Sequence, residues 1–282
     1  MRLYLKDGVT PEQAIMTLTD RIGEAKNVGP SVAPQSFTRA GVADRMTRLR
    51  DAYLAWTEGT KVQLTNVTRD SDVLRLPFTT AYYEIRQFDG FNPRGIAFIE
   101  SEIARQIRSL EAVRDDLSRR RERALSAEGH ITILDTNVLL HYEPPDSVNW
   151  SEVVGHATIR LVVPLRVIEE LDTMKYTARD KLRDRARSVL TRLRQVVGRD
   201  GAPGTLPSGA TIEVFIEPGP RDRPNDADAE LLQTAHELRR LSGREVTLVT
   251  ADSAMQMRAE TEGITTAVID DKYRREKEAA AE

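Results

Sequence analysis

From Ile131 to Asp270 the chain alternates short β-rich runs with helical stretches, and this alternation constrains the fold more than any other feature. The runs are ITIL (131–134), IRLVVP (159–164), TIEVFIE (211–217), EVTLVT (245–250) and TTAVID (265–270). Helical patterns lie between them, clearest over 167–197 and 226–242. Strands separated by helices pair in parallel, because each return across the sheet is made by a helix packed on one face. The expected class is α/β, a parallel sheet flanked by helices. The segments 202–210 and 217–225 read as loops.

The first part of the chain has a different texture. Residues 1–128 read as an α-helical N-terminal domain and 129–282 as the α/β domain. TPEQAIMTLTDRIGEA (10–25) opens with Thr10, Pro11 and Gln13, the spacing of a capping box with proline in the first turn. A Gly/Pro/Ser-rich break at 27–36 precedes a second helix over 37–59, striped by Val42, Met46, Leu49, Tyr53 and Trp56. One long helix is expected over 95–129, stopping at Glu128-Gly129. Four of the six phenylalanines and two of the seven tyrosines fall in 75–98 beside Arg75, Arg86 and Arg94. Aromatics beside arginines can stack unpaired bases, but such a cluster is more often a small core or an interface.

The 282 residues include no cysteine, which excludes disulfides, thiolate zinc sites, iron–sulfur clusters and cysteine nucleophiles. No apolar run is long enough to span a membrane, and the N-terminus lacks a signal-peptide pattern, so the cytoplasm is expected. The net charge of −3 gives no overall basic footprint, leaving nucleic acid to a local patch.

Acidic residues collect where a parallel sheet binds its ligands, outside the carboxyl ends of the strands. Asp135 directly follows ITIL, and Asp252 follows TLVT after one residue. Glu169 and Glu170 fall in the first turns after the second run, and Asp226 and Asp228 at the start of the helix before the fourth. Any one aspartate here could simply cap a helix, Asp135 and Asp226 above all. Four groups at one edge repel one another, and a divalent cation would compensate them. Oxygen donors without cysteine or clustered histidine favour Mg²⁺ or Mn²⁺.

LDTNVLL, VPLRVIEELDTMK, NDADAELL and LVTADSAMQMRAE, in this order, resemble the motifs of PIN-domain nucleases over about 131–275. The resemblance implies a PIN-like, Rossmann-type sheet and Mg²⁺- or Mn²⁺-dependent hydrolysis of single-stranded RNA. Carried over by position, it implies Asp135, Glu170, Asp228 and Asp252 as catalytic and metal-binding, with Glu169 the second choice for the glutamate. Asp226, Thr136, Asn137, Thr250 and Ser253 would assist them. RNA is the implied partner, with single-stranded DNA next. A homo-oligomer stays open. Toxin ribonucleases of that family are little more than the domain itself, which argues mildly against a plain toxin. The other readings are a structure-specific DNA nuclease and a catalytically silent nucleic-acid-binding or scaffold protein.

The helix after Glu170 is expected to bury Leu171, Met174, Ala178, Leu182, Ala186, Val189, Leu193 and Val196. Its outer face would carry Lys175, Arg179, Lys181, Arg183, Arg185, Arg187, Arg192 and Arg194, interrupted by Asp180 and Asp184. Among these, Lys175, Arg179, Arg183, Arg187 and Arg194 are the candidate contacts to backbone phosphates. A solvated face is the plainer reading. The four histidines are scattered, and His141 alone lies near Asp135.

Overall fold

The computed structural model describes residues 2–32, 38–88, 92, 94–216 and 226–275. The break at 33–36, the loop at 217–225 and Phe91 lie outside them. The chain divides into two compact units, Met1–Glu122 and Arg123–Glu282.

The first unit is helical. Helix α1 (Pro11–Val28) begins with the expected capping box: Gln13 N–H donates to Thr10 Oγ1 at 3.3 Å, and Thr10 N–H to Gln13 Oε1 at 2.9 Å. Helix α2 (Arg39–Val67) runs on past Gly59, where the expected range ended. Packing against α1 overrides the glycine there: Trp56 Nε1 donates to Arg21 O at 3.0 Å, and the Arg21 side chain lies beside Gly59. Two short helices follow, α3 (Ser71–Arg75) and α4 (Thr80–Arg86). The long helix α5 spans Gly95–Ala124.

Tyr53, Leu49, Ile99, Leu110 and Leu117 are buried where these helices meet. The core also holds a carboxylate with every need met. Glu102 Oε1 accepts from Thr79 Oγ1 (2.8 Å), Gln106 Nε2 (2.9 Å) and Arg105 Nη2 (2.7 Å). A buried charge is tolerated only when partnered in this way. The aromatic cluster is split. Tyr82 is buried and edge-on to Phe78 at 4.9 Å, whereas Tyr83 and Phe98 reach the surface.

The second unit is built on a six-stranded sheet ordered β3-β4-β2-β1-β5-β6. After α5 come β1 (His130–Leu134), α6 (Thr136–His141), α7 (Trp150–Val154), β2 (Ile159–Pro164), α8 (Leu165–Thr177) and α9 (Asp180–Val196). Then follow β3 (Gly204–Thr205), β4 (Thr211–Phe215), α10 (Ala227–Ser242), β5 (Val246–Val249), α11 (Ser253–Thr261) and β6 (Thr265–Ala267). All pairings are parallel except β3 with β4. All six residues of β2 and all four of β5 are buried, as expected of strands covered on both faces. No described helix is long and apolar enough to cross a membrane.

Three departures have physical causes. The sheet is mixed, because 202–210 contains β3; Gly204 fits there only because it lacks a Cβ, which would collide with Val196 O. The helix expected over 167–197 breaks at Ala178–Arg179, both extended, so α9 folds back along α8. Helix α5 ends at Ala124 rather than near 128. There the fully buried Arg160 donates to Ala124 O and to Arg123 O (3.1 Å), satisfying carbonyls that the helix leaves unpaired. Arg160 also pairs with the buried Glu213, Nε to Oε1 at 2.8 Å, tying β2 to β4.

Candidate functional site

The chain leaves β1 for β2 and β4 on one side and later returns to place β5 and β6 on the other. Such a switch point opens a crevice at the carboxyl ends of the strands. Asp135 stands there, its N–H bonded to Val249 O of β5 at 3.2 Å. A cleft of about 550 Å³ lies over this edge. Its lining includes Asp135, Thr136 and Asn137 from the β1–α6 turn, Asp228 from α10, and Asp252 after β5. Helix α8 contributes Arg166, Glu169, Glu170, Thr173, Met174 and Thr177. Their three- and four-residue spacing is that of one helix face.

Asp135 occupies the N-cap position of α6, where the Thr136 and Asn137 N–H groups favour its charged form. Its Oδ2 accepts from Thr250 Oγ1 at 2.7 Å, and Thr250 is fully buried. Burial pushes the Asp135 carboxyl up from its ordinary pKa; the Thr250 hydroxyl opposes this and the charge of Glu170 adds to it. Asp228 is also pushed up, first by burial and then by the charges of Asp226, Asp252 and Glu170. Like charges share this space, and they make Asp135 and Asp228 harder to ionise.

Glu170 is held from two sides. Thr136 Oγ1 donates to its Oε2 at 2.5 Å, and Arg166 Nε lies 3.4 Å from its Oε1. Both Glu169 and Glu170 line the cleft, although about 100° separates adjacent helix positions. Glu170 is the one whose charge bears on Asp135 and Asp228. Asp252 does cap its helix, its Oδ1 accepting from Ala254 N (2.7 Å) and Met255 N (3.2 Å), with Oδ2 outside the cap.

Three of the assisting residues lie apart from the lining: Thr250, buried and bonded to Asp135, and Asp226 and Ser253. Asp226 caps α10 by accepting from Asp228 N at 3.1 Å, and it pairs with Arg258 at 2.6 Å, which holds its carboxyl below the usual range. Ser253 is exposed at the start of α11. Among the described residues, no three Asp, Glu or His side chains stand close enough together to form a ready-made ion cage. The donor set nonetheless suits a hard divalent cation, being all oxygen with its carboxyls strained by mutual repulsion.

The PIN domain family model matches residues 132–269. The C-terminal half is a PIN domain. No curated protein matches the chain. PIN domains are in general nucleases, and within this one all four acids lie inside the matched span and line one cleft.

Sequence reasoning passed over Arg166, although its position four residues before Glu170 in LRVIEEL is the spacing of a helical ion pair. On the PIN domain's basic helices, Lys175 pairs with Asp172, Arg183 with Asp180, and Arg187 with Asp184 at 3.7 Å. Arg179 and Arg194 are exposed. Arg185 is half-buried and turns toward α6, its Nη1 3.5 Å from Leu140 O. The buried stripe holds at Leu171, Ala186, Val189 and Leu193, with Leu190 added, while Met174, Ala178, Leu182 and Val196 are only half-buried. His141 is outside the cleft lining, and burial with nearby Arg185 and Arg274 lowers its pKa from the usual imidazole value.

Proposed function

We propose that the PIN domain hydrolyses phosphodiester bonds of single-stranded RNA, using Mg²⁺ or Mn²⁺ held by Asp135, Glu170, Asp228 and Asp252. The observation that carries this reading is the Asp135 carboxylate, which Thr250 holds at the end of β1 in one cleft with three other acids. A bound divalent ion neutralises the phosphate and lowers the pKa of a coordinated water. The chain's own part is to fix the oxygens that receive the ion. Thr250 orients Asp135, Thr136 orients Glu170, and the α11 cap fixes Asp252. No serine or histidine nucleophile is required. The exposed cations of α9 supply sequence-independent attraction for a phosphate backbone.

The test is cleavage of a panel of single-stranded RNA, duplex RNA, single-stranded DNA and branched DNA, with Mg²⁺, with Mn²⁺ and with EDTA. Metal-dependent cleavage of single-stranded RNA is expected. Cleavage of branched DNA alone would replace RNA with DNA as substrate, and no cleavage under any condition would leave a nucleic-acid-binding role.

A further inference from the structure

Arg166 is the one basic residue among the described residues that line the cleft. It sits in the first turn of α8, where the positive end of the helix dipole disfavours a cation. What offsets this is an ion pair along the same helix: its Nε faces Glu170 Oε1, four residues on, at 3.4 Å, and both side chains are partly exposed, 31% and 25%. Glu170 is the carboxylate whose charge also reaches Asp135 and Asp228.

We propose that Arg166 is the resident counter-cation of the cleft: it holds Glu170 while no divalent ion is bound, competes with such an ion for that carboxylate, and once released takes a phosphate of the substrate. A divalent ion at Glu170 brings two positive charges against the one of Arg166, so the two cannot share the oxygen comfortably. A freed guanidinium is a planar fork suited to a phosphate. The distance favours this exchange, because a half-exposed pair at 3.4 Å is weak enough to be given up. The proposal rests on the cleft being a divalent-cation site, and the experiment separates the two.

Mn²⁺ binding to the full chain, without nucleic acid, is measured by titration calorimetry for the wild type, Arg166→Gln, Arg166→Lys and Asp135→Asn. Arg166→Gln should bind Mn²⁺ about fivefold more tightly, the worth of a weak ion pair removed. Arg166→Lys keeps the charge and should restore wild-type affinity. At saturating Mn²⁺, KM for an RNA oligonucleotide should rise about tenfold in Arg166→Gln with a smaller change in kcat, as for one lost charged contact. Wild-type binding that is unchanged or weaker in Arg166→Gln would overturn this proposal alone, and an unchanged KM would overturn its phosphate contact. Absent wild-type binding, or equal binding by Asp135→Asn, would overturn the cation site and this proposal with it.

Discussion

Thr250 donates its hydroxyl to Asp135 Oδ2 at 2.7 Å, joining the residue after β5 to the residue after β1. The two strands pair in parallel up to Leu134 and Val249, so this bond continues the ladder in side chains. It fixes one oxygen of a carboxylate that lines the cleft.

Thr250→Val keeps the side-chain shape and removes the donor. The Asp135 carboxyl, already pushed up by burial, should become harder still to ionise. Metal-dependent cleavage should fall by about 10–100-fold, the usual effect of removing a group that orients a metal ligand. Steady-state rates on a single-stranded RNA measure it, and wild-type turnover would show the bond to be structural only.

The Arg160–Glu213 pair predicts a stability effect remote from the cleft. Arg160→Met leaves a buried carboxylate uncompensated and should cost about 3–5 kcal/mol in denaturant unfolding. Adding Glu213→Leu should recover part of that loss and not all, because Ala124 O still lacks the bond from Arg160. A double variant no more stable than Arg160→Met would contradict this account.

His130 stacks on His156 at 3.7 Å and shares a 2.8 Å bond with Thr247 Oγ1. Burial and the second ring lower its pKa, while Glu245 opposes them weakly. The unfolded chain therefore takes up this proton first. Its contribution to stability is full above the unfolded pKa of about 6.5 and is lost as pH falls through the lower folded value. Between pH 7 and pH 5 the wild type should lose more stability than His130→Gln, read from thermal midpoints at each pH. Parallel pH profiles would mean the ring is solvated.

The cations of α9, Arg187 and Arg194 exposed and Arg183 half-buried, should act through phosphate. Replacing Arg183, Arg187 and Arg194 with Gln should weaken RNA binding and lower its salt slope by about one per lost contact. An unchanged slope from binding titrations across salt would make this face a solvated one.

Much of the PIN domain was legible because its signals are local. A carboxylate directly after a buried run must stand at the strand's end, so Asp135 and Asp252 could be placed from ITIL and TLVT alone. The illegible parts depend on contacts distant in sequence. The helix expected over 37–59 runs on to Val67, passing Gly59 beside Arg21. The end of α5 is set by Arg160, which lies 36 positions beyond Ala124. Ala178–Arg179 breaks a helix with neither proline nor glycine, because α9 must fold back on α8. Arg166 looked like one charge among many until the fold set it among acids.

The most direct measurement is Mn²⁺-dependent cleavage of single-stranded RNA by Asp135→Asn beside the wild type, with unfolding of both followed in the absence of metal. The variant should lose cleavage entirely while keeping its fold, and relief of like-charge repulsion should leave it at least as stable as the wild type. Full activity in a folded Asp135→Asn protein would contradict the four-acid cleft as the seat of the reaction.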